Sequence, residues 1–175
     1  MNIRAIYPGT FDPVHFGHLN LMHRAASIFD ELIVGVYDHG VPSKSLLFSL
    51  EERVAMIEES LDGRDNIEIR AYGGLTVDFA RSVGAKVIVR GLRVFSDFEY
   101  EFRMALANQR LAPELEVVTF ITAEEHTFLS GTTVREIASF GGDVSSMVPE
   151  SVARALYERF NQDNPDFNPP VSLRD

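Results

Sequence analysis

The stretch Tyr7-Pro8-Gly9-Thr10-Phe11-Asp12-Pro13-Val14-His15-Phe16-Gly17-His18 decides how this chain folds. Asn2–Tyr7 is a short apolar run of strand character, Pro8–His15 is rich in turn formers, and helical periodicity runs from about Gly17 to Phe29. Strand, tight turn and amphipathic helix in direct succession open a βαβ unit. Two histidines at i and i+3 share one face at the helix start. That start offers N–H groups and a partial positive charge, which suit an anion. Gly17 removes a side chain where a phosphate would approach the backbone. His18 would donate a hydrogen bond to a phosphate oxygen as charge builds there. The plainer alternative is a turn whose histidines only cap or pack.

Outward from this loop the alternation continues. Glu31–Tyr37 is a strand and Asp38–Phe48 a loop, and Ser49 with Glu52 forms a capping box that opens a helix. Asn66–Ala71 is a third strand, Thr76–Val83 a short helix ending at Gly84, and Lys86–Val89 a fourth strand. A second capping box, Ser96 to Glu99, predicts a long helix through about Leu111. Glu116–Ile121 is the fifth strand, Ser130–Phe140 a helix stopped by Gly141-Gly142, and Pro149 opens a last helix to about Phe160. The pattern predicts an α/β fold, a Rossmann-like doubly wound five-stranded parallel sheet with helices on both faces. Ligands of such sheets bind at the carboxyl ends of strands, so the loops after strands one, two, four and five matter most. Residues 1–160 read as one domain, and Asn161–Asp175, with three of the eight prolines and no apolar periodicity, as a disordered tail.

Composition narrows the function. No run is long enough for a membrane span and no signal peptide is visible, so a cytoplasmic location is expected. With no cysteine, disulfides, thiolate metal sites and cysteine nucleophiles are excluded. A net charge of −10 argues against a nucleic-acid partner. A small anion remains possible where positive groups concentrate.

Three further loops supply such groups. Arg90-Gly91-Leu92-Arg93, at the end of the fourth strand, suits bidentate capture of phosphate or carboxylate, although solvated loop arginines are the bland reading. His126-Thr127-Phe128-Leu129-Ser130-Gly131-Thr132 leads into a helix start, where hydroxyls and amides favour outer phosphates or simply cap the helix. Lys44, one of only two lysines, sits in the loop after the second strand. Asp12 is a lone carboxylate and does not by itself establish a metal site.

The first loop looks like the [HT]-x-G-H signature of the nucleotidyltransferase superfamily. Over about residues 2–160 the chain resembles the bacterial phosphopantetheine adenylyltransferase family. The resemblance lies in Arg4–Pro13, Phe48–Val54, Val89–Glu101, Pro113–Leu115 and Gly142–Pro149. The run Arg-Gly-Leu-Arg followed by Asp-Phe-Glu-Tyr-Glu is the most specific part. The resemblance implies adenylyl transfer from ATP to 4′-phosphopantetheine with magnesium, a homohexamer, and feedback by coenzyme A. By position it implies ATP contacts at Thr10, Phe11, His18, Gly91, Leu92, Arg93, Glu101 and His126–Thr132. It implies acceptor contacts at Thr10, Lys44, Thr76 and Arg90. His15 stands where the family commonly has Thr and where nicotinate-mononucleotide adenylyltransferases have His. Gly131 replaces a usual hydroxyl residue. The implied chemistry is a direct in-line attack with His18, Lys44 and Arg93 as catalytic groups. The alternatives are another nucleotidyltransferase, such as one acting on nicotinate mononucleotide, and a non-catalytic nucleotide sensor.

Overall fold

Parallel strands covered on both faces read as continuous apolar runs, and the buried runs Ala5–Tyr7, Leu32–Val36 and Val87–Val89 are of this kind. The structure, a computed structural model, describes residues 2–40, 46–61 and 63–163. Strands β1 (Arg4–Gly9), β2 (Glu31–Tyr37), β3 (Ile67–Tyr72), β4 (Val87–Leu92) and β5 (Glu116–Ile121) form one parallel sheet in the order β3-β2-β1-β4-β5. The helices are α1 (Phe16–Ala26), α2 (Leu50–Ser60), α3 (Thr76–Ser82), α4 (Phe95–Leu111), α5 (Gly131–Ser139) and α6 (Glu150–Asp163). The doubly wound α/β fold expected from the alternation is the fold observed.

Successive strand residues divide between two cores. Ala5, Tyr7, Leu32, Val34, Val36, Val87 and Val89 pack with residues of α1, α2, α5 and α6, whereas Ile6, Ile33 and Ile88 pack with Val77, Phe79 and Ala80 of α3. Each such aliphatic side chain contributes roughly 1.5–3 kcal/mol on burial. The strand order reverses between β1 and β4, and this opens a crevice beyond their carboxyl ends.

β2 and β5 have the boundaries expected, and the Ser49–Glu52 capping box forms. β1 runs on to Gly9 because Pro8 and Gly9 still pair with Gly35 and Val36. β4 runs on through Arg90-Gly91-Leu92, paired with Thr119, Phe120 and Ile121. The Ser96–Glu99 capping box does not form. Val94 is the N-cap of α4 and makes no side-chain cap bond, while Asp97 accepts from the Arg93 amide at 3.3 Å and from its guanidinium. A carboxylate facing a cation is the stronger acceptor and sets the local geometry. α6 extends three residues past Phe160, to Asp163, and residues 164–175 of the expected tail lie outside the described residues. No described helix is long and apolar enough to cross a membrane.

Candidate active site

The β1–α1 loop is held by its own aromatic residues. Phe11 adopts φ 52°, in the left-handed region that is unfavourable for a bulky residue. Its buried ring covers Gly9, where a Cβ would come within 2.7 Å of Phe11 Cζ. The same ring meets Tyr7 edge-on at 5.4 Å and His18 at 4.9 Å. His15 is the N-cap of α1, and its ring stacks on His18 with centroids 3.5 Å apart. The pair caps reciprocally: His18 N donates to His15 Nδ1 and His15 N donates to His18 Nδ1, both at 3.3 Å. Each neutral ring therefore carries its proton on Nε2.

Burial, then the electrostatic influence of Arg93 and His126, lowers the His15 pKa to about 3. Burial, then His15 and Arg93, holds His18 well below its ordinary value. The imidazole that His18 brings to the cleft is a neutral N–H donor. The first-turn amides of α1 offer an anion less than expected, because Phe16 N donates to Met147 O at 2.9 Å and His18 N is used by His15. Gly17 also has a different reason from the one expected: a Cβ there would come within 3.0 Å of His15 Cε1, so the glycine clears the stacked ring.

Around this pair lies a cleft of about 310 Å³ lined by Tyr7, Phe11, His18, Arg90, Gly91, Arg93, Glu101, His126, Ser130 and Gly131, among others. Arg90 binds Glu101 through two bonds of 2.7 and 2.8 Å and reaches Pro8 O at 3.4 Å. Arg93 pairs with Asp97 and donates to Leu129 O at 2.8 Å. Ser130 is the N-cap of α5 and accepts from Thr133 N at 3.1 Å, while the amides of Gly131 and Thr132 have no intrahelical acceptor.

The remaining expected contacts divide. Leu129 is wholly buried in the core; its carbonyl accepts from Arg93 and its amide donates to His126 O at 3.1 Å. Thr132 faces a neighbouring open groove with Arg135, and Phe128 is exposed. Thr127 donates its hydroxyl to Glu124 O, and Leu92 ends β4 half-buried. Thr10 gives its carbonyl to Arg53 at 2.6 Å. Thr76 shares a 3.1 Å hydrogen bond with the Tyr72 hydroxyl and lines a second cavity of about 130 Å³ with Pro8, Arg90, Tyr100, Glu101, Met104 and Asn108. The Arg90–Glu101 pair belongs to both cavities and forms the wall between them. Lys44 lies outside the described residues.

Asp12 is engaged by protein groups. Its oxygens accept from Leu47 N and Phe48 N at 2.9 Å each, and Arg135 lies 3.2 Å away. Among the described residues no group of three or more acidic or histidine side chains could hold a metal ion. Sequence reasoning missed Arg53 and Arg135, which look like ordinary helix arginines. Arg53 is only 2% exposed and ties Thr10 O to Tyr37 O, joining the ends of β1 and β2. Its place among the apolar positions of α2, next to Met56 and Ile57 in the buried set, was the one available signal.

A neutral imidazole donor, two arginines and a helix start lie around one cleft at the sheet's switch point, an arrangement suited to the phosphates of a nucleotide. The cytidylyltransferase-like family pattern matches residues 6–137. The chain is 51% identical over 158 residues to the phosphopantetheine adenylyltransferase of Roseiflexus sp. (strain RS-1), covering 90% of this chain and 98% of that one. It is 50% identical to the phosphopantetheine adenylyltransferase of Dictyoglomus thermophilum, covering 90% and 95% respectively. The chain belongs to the phosphopantetheine adenylyltransferase family. Its fold is also that of a putative nicotinate-nucleotide adenylyltransferase from Vibrio parahaemolyticus, with a TM-score of 0.67 at 18% identity over 94% of this chain and 98% of that one.

Proposed function

We propose that the chain transfers the adenylyl group of ATP to 4′-phosphopantetheine, giving dephospho-coenzyme A and pyrophosphate. The observation that carries the choice of acceptor is the second cavity of about 130 Å³ lined by Arg90 and Glu101. Its mixed lining, with Met104 and Asn108, suits an amide chain whose phosphate remains at Arg90.

The acceptor phosphate is already anionic and needs no general base. One of its oxygens forms a bond to the α-phosphorus of ATP in line, as the bond to the bridging oxygen breaks and pyrophosphate departs. His18 Nε2–H donates to the α-phosphate as its charge develops, with Lys44 assigned the same task. Arg93 and the Ser130–Thr132 helix start hold the leaving pyrophosphate. Arg90 and Thr10 orient the acceptor phosphate, Arg90 exchanging part of its pairing with Glu101 for that contact. Magnesium enters with ATP as part of the substrate, because the oxygens of Asp12 are committed to amides and to Arg135.

Coenzyme A contains both halves of the reaction and would span both cavities, which supports feedback at this site. The exposed Phe95, Phe98 and Phe102 of α4, stacked with centroids 6.2 and 5.8 Å apart, support a closed assembly, taken as a homohexamer. A cytoplasmic site of action fits this reading. His15 gives no support to a nicotinate-mononucleotide acceptor, since its ring is 4% exposed and packed against His18.

Incubation with ATP, magnesium and 4′-phosphopantetheine should yield one pyrophosphate per dephospho-coenzyme A. Nucleotide binding without pyrophosphate release would make the chain a sensor and overturn the proposal.

A further inference from the structure

We infer that Arg135 is a positioning residue that locks the start of α5 to the β1–α1 loop, and so sets the leaving-group cradle against His18. The inference rests on the adenylyl-transfer reading. Arg135 Nη1 donates to the Asp12 carbonyl and lies 3.2 Å from Asp12 Oδ2. The Asp12 side chain is only 2% exposed, and its two oxygens also accept the Leu47 and Phe48 amides. Removing the cation would leave a buried carboxylate without its ion-pair partner.

The helix start is shaped for this contact. A Cβ on Gly131 would come within 3.0 Å of the Asp12 carbonyl oxygen and 3.4 Å of Arg135 Nη1. With glycine there, α5 closes on the loop and the guanidinium reaches past its own first turn. His18, six residues after Asp12, and the amides of Gly131 and Thr132 are thereby held in one frame. Arg135 itself lines the groove behind α5, with Leu47 and Thr132, so it acts on the reaction only through the parts it joins.

In-line transfer is sensitive to such placement, and a misfit of about 1 Å costs on the order of a hundredfold in rate. In the full-length chain, Arg135→Gln should lower kcat at saturating substrates about thirtyfold or more, with the acceptor KM changed less than about threefold. Arg135→Lys keeps the charge but not the planar fork, and should still lower kcat about three- to tenfold. A kcat for Arg135→Gln within twofold of the parent, or a defect confined to the melting temperature, would overturn the inference. Should Arg135→Gln not fold, a parent-like kcat in Arg135→Lys would overturn it. Absence of turnover in the parent would sink the transfer reading alone. ATP calorimetry then still reads the clamp: a dissociation constant raised at least fivefold in Arg135→Gln supports it, and a smaller change overturns it.

Discussion

Acidification should destabilise this protein through a buried histidine. His15 is 4% exposed, and its pKa falls to about 3, chiefly through burial. In the unfolded chain a histidine titrates near 6.5. Between those values the unfolded state binds a proton that the folded state does not, so unfolding free energy decreases as pH falls. The loss begins below about pH 6.5 at up to about 1.36 kcal/mol per pH unit, and reaches about 2 kcal/mol at pH 5 from His15 alone. His18 acts in the same direction. His15→Asn keeps a good N-cap acceptor and removes the titrating ring. Urea unfolding of parent and variant at pH 7.5 and pH 5, at one fixed protomer concentration, isolates the effect. The parent should lose about 2 kcal/mol more than His15→Asn over that interval. Equal losses in the two proteins would show that the buried ring is protonated in the folded state, and with it the neutral-donor argument for His18 would fall.

His18→Ala should lower kcat a hundred- to thousandfold, the equivalent of about 3–4 kcal/mol for one transition-state donor, with the ATP dissociation constant changed less than about threefold. Rapid-quench turnover beside calorimetry checks this, and a rate within threefold of the parent removes His18 from the proposed role. Lys44→Ala should depress turnover more than ATP affinity, and equal saturated rates would make that lysine an idle surface residue. Phe98→Asp, on the exposed face of α4, should break an assembly of 19.6 kDa subunits into smaller species by light scattering; a parent that is already monomeric refutes the assembly.

The fold was legible because the central strands are buried on both faces, so a strand such as Glu31–Tyr37 carries a dense apolar run with clear ends. Boundaries slipped where polar or special residues continue a strand: Arg90 and Gly91 belong to β4 because the ladder with β5 extends to the lip of the cleft. The capping box at Ser96 failed because Asp97 had a charged partner four residues back, which a local motif cannot reveal. At the site, the short spacing of His15 and His18 made their shared face readable. Their reciprocal capping and neutral state depend on burial by Phe11 and on Arg93, and only the folded chain brings these together. Arg135 and Asp12 are 123 residues apart, and nothing in either local sequence announces the pair.

The central claim is that the acceptor is 4′-phosphopantetheine, and specificity constants for competing acceptors test it most directly. With ATP and magnesium in excess, kcat/KM should be compared for 4′-phosphopantetheine and nicotinate mononucleotide. The second acceptor offers a charged ring in place of an amide chain, and leaves polar groups near Thr76 and Asn108 without partners. Each unpaired buried group costs about 1–3 kcal/mol, so two such losses predict discrimination of at least about thirtyfold in favour of 4′-phosphopantetheine. Comparable constants, or a preference for the mononucleotide, would contradict the acceptor assignment.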